Sequence, residues 1–429
     1  MDKVKYRDIL KLKEYRKLIA SSIVNRFGDS VDAIAFTWLV YMVTGSASWS
    51  AIIYALNQLP TVLLQPFAGA LVERMNKKKI MVAADLIRGF IIVAVACLYK
   101  ANGSVSPWVL AAMTLMISSV EAFGMPAGSA FVPLILEKKY YSHGLSLNST
   151  VSNIMQLVGM ASAGIIIGVG GIEAAMFVDA ATFFISGLFK ISIKVKETIE
   201  DVSKKNGSGM QTYFKTLKEG FKYVAAKKVI LNCCILAMLA NATLVPLNAL
   251  QSPMAVEIFG QGSEFLSVMG IALIIGTALG SLITPKLMGK FKERPLIVFF
   301  GIALGIIYGL YTLGIYTHGN VIAAYSLNIV CALIMGIAIS VISQIFTIQF
   351  MNSVENEYLA RAASILNATS SAATPLTSGL VSLMAKFIPV TTLFIISSSI
   401  CIVIFAFMGI AKVKFSEDEE KIEKMPEAV

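Results

Sequence analysis

Apolar stretches of about 20 residues, the length a helix needs to cross the hydrocarbon layer of a bilayer, follow one another along almost all of this 429-residue chain. They fall at 18–43, 50–72, 80–99, 107–127, 148–170 and 172–190, and, beyond a polar stretch, at 228–250, 265–286, 295–316, 321–350, 362–385 and 389–411. Six precede the polar stretch and six follow it. Only 14% of the residues are charged and 56% are hydrophobic, whereas soluble domains run near about a quarter charged. A water-soluble fold has no place to hide that much apolar surface. The pattern predicts an all-α multi-pass membrane protein with 12 transmembrane helices.

The charges that remain are sorted. Loops on the cytoplasmic side of a membrane protein carry an excess of Lys and Arg. Here all but Arg26, Arg88, Lys100 and Lys386 of the 36 basic residues fall in the N-terminus, alternate loops, the central polar segment and the tail. That places both termini in the cytoplasm of a protein of the cell membrane. The net charge of +10 therefore reads as topology rather than as a nucleic-acid footprint. The first residues, from Lys3 to Lys17, form a charged amphipathic stretch without the short apolar core and small-residue cleavage site of a secretion leader, so the span from Leu18 is read as retained. Cys97, Cys233, Cys234, Cys331 and Cys401 lie in apolar segments with no CxxC pair or His/Cys cluster nearby, as packing residues do. No metal site and no cofactor are expected.

The polar segment divides the chain into an N-terminal six-helix bundle at 1–190, a cytoplasmic linker at 191–227, a C-terminal bundle at 228–411 and a charged tail at 412–429. The linker contains the flexible run Lys204-Lys205-Asn206-Gly207-Ser208-Gly209. Its later part sets Phe214, Leu217, Phe221 and Val224 at helical spacing among lysines, which suits either a helix on the anionic inner leaflet or a solvated connector. An internal repeat supports the division: Leu147-Asn148-Ser149-Thr150-Val151-Ser152 opens the fifth span and Leu366-Asn367-Ala368-Thr369-Ser370-Ser371 the eleventh. Two repeats related by an axis along the membrane normal form a pair of pseudo-symmetric six-helix bundles.

After the second span the chain reads Gly69-Ala70-Leu71-Val72-Glu73-Arg74-Met75-Asn76-Lys77-Lys78-Lys79. This resembles the loop motif of the major facilitator superfamily, Gly-x-x-x-Asp-Arg-x-Gly-Arg-Arg/Lys, with Glu73 in place of Asp and Asn76 in place of Gly. The glycine would let two helices approach, the acid would face a helix N-terminus, and Lys77, Lys78 and Lys79 would anchor the loop to the inner face. A fainter copy runs from Gly280 to Lys290. The wider pattern is similar to the macrolide-efflux and siderophore-exporter branch of that superfamily. Carrying it are Asn25-Arg26-Phe27-Gly28-Asp29 in the first span, Trp38-Leu39-Val40-Tyr41 with Thr44-Gly45-Ser46 at its exit, Leu59-Pro60 in the second and Pro126-Ala127 ending the fourth. The resemblance implies a non-enzymatic monomeric transporter that exports a bulky organic compound, a macrolide-like drug or a siderophore, against inward proton flow. It departs at Gly159-Met160-Ala161-Ser162-Ala163-Gly164, which lacks the proline of the drug/proton antiporter motif, and in having no arginine in the fourth span. A siderophore or metabolite exporter and an uncoupled facilitator for lipids or solutes remain open on the same fold.

A carboxylate at the bilayer centre costs about 2.5–3.5 kcal/mol on insertion scales, so one that persists there has a task. Asp29, Asp32, Asp85, Glu121 and Asp179 all lie in the N-terminal spans, while the C-terminal spans offer only amides and hydroxyls such as Asn241, Asn248, Asn328 and Gln344. Asn25, Asp29, Asp32 and Phe36 make one helical stripe, with Asp29 about 16 Å from the inner boundary at 1.5 Å per residue. Glu121 and Arg26 come to a similar depth, about 10–12 Å from that boundary, which sets them at pairing height. Asp29, Asp32, Glu121, Arg26 and Asn25 are therefore the candidates for proton coupling and substrate contact. Asp29 or Glu121 would alternate between protonated and ionised forms, or Arg26 would hold the first and fourth spans together as a fixed bridge. Asp85 and Arg88, three residues apart on one helix, are expected to form a static pair.

Overall fold

A computed structural model describes residues 6–72, 75–195, 218, 221–354 and 359–410. All its regular elements are helical. They are α1 (Tyr6–Leu10), α2 (Lys13–Thr44), α3 (Ala47–Leu63), α4 (Gln65–Val72), α5 (Lys77–Asn102), α6 (Pro107–Ile135) and α7 (Tyr141–Ser192). Then come α8 (Lys228–Pro253), α9 (Ser263–Met288), α10 (Glu293–Tyr311), α11 (Val321–Ser353), α12 (Leu359–Met384) and α13 (Val390–Ile410). Local signals set several ends. Asn76 caps α5 by accepting a bond from the Lys79 amide at 2.8 Å, and Asn320 caps α11 through the Ala323 amide at 3.1 Å. Pro107 opens α6, where its missing N–H has no cost.

Two apolar runs show how residue chemistry shapes a span. The fifth and sixth runs are two helices within α7 that meet at a kink at Gly171, with φ 77° and ψ 176°. Only glycine takes that conformation readily, so the single residue marks the boundary read from the sequence between 170 and 172. The run at 50–72, expected as one span, is two helices that part at Leu64. Pro66 has no amide to continue the ladder and disfavours helical backbone in the residue before it, so α3 ends shortly ahead of it. Among the described residues, eight helical elements are long and apolar enough to cross a membrane: α5, α6, α7, α8 extended to Ile258, α9, α10 extended to Thr317, α11 and α13. The others fall short for visible reasons. α2 carries Arg26, Asp29 and Asp32, α3 and α4 are two short pieces, and α12 is rich in Ser and Thr.

The chain divides into two compact units, with boundaries at Gly45/Ser46, Ala55/Leu56 and Met210/Gln211. In the first, α2 packs on α7, α5 on α6 and α7, and α4 on α6. In the second, α8 packs on α12, α9 on α11, and α10 on α11 and α13. α3 is shared between the units. Its opening residues lie in the second, where the Ser48 and Ser382 hydroxyls meet at 3.0 Å and Ser378 Oγ donates to the Ala51 carbonyl at 2.6 Å. Its end lies in the first, where Asn57 Nδ2 donates to Ser118 Oγ at 3.2 Å. Of the central segment at 191–227 only 191–195, residue 218 and 221–227 are described; Phe221 is exposed and Val224 buried. The 204–209 run, Phe214, Leu217 and the 412–429 tail lie outside the described residues.

At the foot of the first unit, Ile9, Tyr15, Leu18, Val72, Met81, Phe131 and Ile193 share one buried cluster. Polar contacts tie it together. Tyr15 Oη donates to the Gly144 carbonyl at 2.6 Å, and the Lys194 amide donates to Glu14 at 2.6 Å, which holds that carboxyl below its ordinary range. In the second unit α9 and α11 meet backbone to backbone: a Cβ on Gly276 would run into the Leu333 carbonyl, and one on Gly336 into that of Leu273. In lipid, close approach between small residues substitutes for hydrophobic drive. Gly276→Leu and Gly336→Leu are expected to cost about 1–3 kcal/mol or more each, read as a fall in the thermal midpoint of the detergent-solubilised protein. Gly69→Ala is expected to leave that midpoint unchanged or raised, because nothing lies within 4 Å of the added methyl.

Candidate functional site

The acids of the first unit converge on a cation from α5. Asp29 and Asp32 project from α2, Glu121 from α6 and Asp179 from α7, and Arg88 stands among them. Arg88 Nη2 lies 3.1 Å from Asp29 Oδ1 and 3.9 Å from Glu121 Oε2. Its guanidinium carbon lies 4.1 Å from the centroid of the Phe183 ring, a cation–π seat supplied by α7. The side chain of Arg88 is only 13% exposed, against 27% for Asp29 and 40% for Glu121. The bond to Asp29 is the direct one, and Glu121 is left half satisfied.

Two expected pairs are replaced. Asp85 does not pair with Arg88: its carboxylate takes Lys190 Nζ at 2.9 and 2.7 Å and the Ser186 hydroxyl at 2.7 Å. Asp85 is 3% exposed, and a buried carboxylate must have both oxygens met. α7 meets them together, because Ser186 and Lys190 stand one turn apart on the face that α5 packs against. Arg88, a turn along α5, is thereby released to reach α2. Arg26 likewise does not pair with Glu121. It is exposed and makes no ion pair among the described residues, and Arg88 holds Glu121 instead. Successive helical residues turn by about 100°, so Arg26 lies off the stripe of Asn25, Asp29 and Asp32 although it shares their depth.

Beside the cluster the first unit has a half-open cavity of about 570 Å3. Asn25, Asp85, Arg88, Glu121, Asn148 and Lys190 supply its polar wall, and Leu18, Met81, Met125 and Val132 part of its apolar one. Flexible thioethers among apolar side chains suit a large, variable ligand. The chemistry of the acids is set by count. Four carboxyls around one guanidinium carry more negative charge than it neutralises. The second unit has no such cluster among its described residues. There Asn328 Nδ2 donates to the Phe265 carbonyl at 3.3 Å, Gln344 Nε2 to Ser340 Oγ at 2.9 Å, and Asn241 and Asn248 are exposed. No group of three or more metal-ligating side chains occurs among the described residues.

In the loop motif, Glu73 and Arg74 lie outside the described residues. Lys78 Nζ donates to the carbonyls of Ile191 and Ile193 at 2.7 and 2.8 Å, and Lys17 Nζ to that of Ser192 at 2.7 Å. The two ammonium groups thus cap the C-terminus of α7, where the helix dipole favours positive charge. Lys77 Nζ reaches the Met75 carbonyl at 3.5 Å, and the Lys79 amide is the one held by Asn76. Gly69 is not at a close helix contact, contrary to the expectation from the motif. Lys190, the buried partner of Asp85, is the cation to which the sequence reading gave no place in the pair.

Comparison with known proteins agrees with this architecture. The family model described as Major Facilitator Superfamily matches residues 18–376. Macrolide efflux protein A of Streptococcus pyogenes is 24% identical over 398 residues, covering 92% of this chain and 94% of that protein. The staphyloferrin A transporter of Staphylococcus aureus (strain NCTC 8325 / PS 47) is 23% identical over 409 residues, covering 93% and 97%. Among solved structures, the D323A mutant of the nucleoside transporter NupG superposes with a TM-score of 0.75 at 13% identity, covering 94% of this chain and 100% of that one, a likeness of fold alone.

Breaking one side of a buried pair costs about 3–5 kcal/mol, whereas replacing both partners with apolar side chains is often neutral. Asp85→Asn should therefore lower the thermal midpoint sharply, and the double variant Asp85→Leu/Lys190→Met should recover most of the loss in the same melting experiment.

Proposed function

The chain belongs to the major facilitator superfamily, and from that membership we propose that it is a secondary active transporter exporting a bulky amphipathic organic compound in exchange for protons, by alternating access. It is a multi-pass membrane transporter, not an enzyme. The observation that carries the finer reading is Arg88 shared unequally between Asp29 and Glu121, with Glu121 on the wall of a Met-lined cavity. A carboxylate whose counter-charge is already partly committed is available to a second cation. A proton and a basic group of the cargo would compete for Glu121 and Asp29, and that competition is what exchange requires. Arg88 takes the part that the depth of Arg26 had suggested for that residue, and Asp32 and Asn25 extend the polar stripe on α2.

The name of the Streptococcus relative supports a macrolide-like cargo, and that of the Staphylococcus relative supports a siderophore as the alternative. The excess of acid over base in the cluster favours a cationic cargo. We place both termini in the cytoplasm, the basic loops on the inner face, and the working unit as a monomer of two six-span halves joined by the 191–227 linker, from the sorting of basic residues and the repeat.

Purified protein in liposomes with an imposed pH gradient tests the exchange, using radiolabelled erythromycin as probe and a trihydroxamate or citrate siderophore in parallel. Gradient-driven erythromycin accumulation is expected in the wild type and its loss in Asp29→Asn and in Glu121→Gln. Accumulation by both variants at the wild-type level would defeat the assignment, and siderophore transport without erythromycin transport would move the chain to the alternative cargo.

A further inference from the structure

Two carboxyls of the cluster, Asp32 and Asp179, have no counterpart in the ion pairs described, and of the two Asp179 is the fully buried one. Asp179 is 0% exposed, and neither of its carboxyl oxygens has a hydrogen-bond partner. The nearby hydroxyl of Thr182 is committed to the Asp179 backbone carbonyl at 2.7 Å. α2 presses on it from the opposite side: a methyl on Gly28 would lie 2.7 Å from Asp179 Oδ1. The charges facing it are Asp29 and Asp32 from α2 and Arg88 from α5. An ionised carboxylate without a donor, enclosed by backbone and beside two other acids, is among the least favourable arrangements a protein can hold. The neutral acid removes most of that penalty.

A second orphan lies on the cation. Arg88 Nε is buried and has no hydrogen-bond partner, although Nη2 of the same guanidinium bonds Asp29. An unsatisfied buried N–H on Arg88 and two unsatisfied acceptor oxygens on Asp179 are complementary groups within one electrostatic neighbourhood. Phe183, one turn along α7 from Asp179, already seats the guanidinium, so Arg88 has a surface to slide on towards that helix. Arg88 lines the cavity and Asp179 does not.

We infer that Asp179 is a proton-binding site of this transporter, and that Arg88 exchanges its contacts with Asp29 and Glu121 for one with Asp179 when that proton leaves. The inference rests on the proton-coupled reading and adds to it the place where the proton waits. In the exchange the O–H bond of the Asp179 carboxyl breaks and the proton passes to Asp29 or Glu121, whose guanidinium partner moves the opposite way. A cationic group arriving at Asp29 and Glu121 then displaces the proton to water in the cavity. One proton leaves for each positive charge bound, and Arg88 is never without an acid.

Infrared difference spectroscopy of the purified protein between neutral and alkaline buffer reads the protonated carboxyl directly and needs no cargo. A protonated-carboxyl C=O band is expected in the wild type, lost in Asp179→Asn, displaced in Asp179→Glu and retained in Asp29→Asn and Glu121→Gln. Should Asp179→Asn fail to fold, the displacement in Asp179→Glu carries the assignment. Survival of the band unshifted in the Asp179 variants, or its absence from the wild type, overturns the inference. In liposomes, Asp179→Asn is expected to exchange erythromycin across the membrane at equal concentrations while its gradient-driven accumulation falls to the level seen without a gradient. Gradient-driven accumulation at the wild-type level would again overturn it. A wild type that accumulates nothing under a pH gradient would sink the proton-coupled reading, while the infrared band would still decide whether Asp179 holds a proton.

Discussion

One guanidinium organises the first unit. Arg88 reaches Asp29 on α2 and Glu121 on α6 and rests against Phe183 on α7, so a single side chain of α5 contacts three neighbouring helices. Between lipid-like surfaces there is little hydrophobic gain in bringing helices together, and polar contacts and tight packing decide which faces meet. The ion pair is short enough to orient α2 and uneven enough to leave Glu121 partly free. A symmetrical bidentate clamp would have fixed the helices as firmly and left nothing for a ligand to bind.

The Asp85–Lys190 pair a turn away has the opposite character. Both partners are buried, Ser186 supplies a further donor to the carboxylate, and the pair joins α5 to α7 as a closed set. The two pairs share a cavity wall but differ in satisfaction: Asp85 has its oxygens met, whereas the Arg88 group leaves Asp179 and one of its own N–H groups unmet. Fully satisfied buried networks rigidify the helices that they join. In this unit the closed pair lies beside the open cluster on the same cavity wall.

How much of this was legible in the sequence follows from what each pattern encodes. Hydropathy reports what surrounds a helix, so the apolar runs, the break at Gly171 and the gathering of mid-span acids in the first unit were readable before any coordinates. Rise per residue reports depth but not direction, which is why Arg26 looked like the partner of Glu121 while Arg88 holds that place. The charge-sorting rule absorbed Lys190 into a basic loop, although its position one turn after Ser186 was the available sign that it faces α5. The i, i+3 spacing of Asp85 and Arg88 was true and uninformative, since each side chain found a better partner on another helix. Pro66 was a readable breaker at Leu64 inside an otherwise uninterrupted run.

The partnership between Asp85 and Lys190 spans 105 residues of chain, and that between Lys17 and the Ser192 carbonyl spans 175. A ribosome adding about 5–20 residues per second delivers the acid to the bilayer many seconds before its ammonium exists. Over that interval the nascent helix must keep Asp85 hydrated at the insertion machinery. The final turn of α7 is thus the step that completes biogenesis of this unit. A chain halted ahead of Lys190 would leave an unmatched acid in the membrane, a natural mark for quality-control proteases to read.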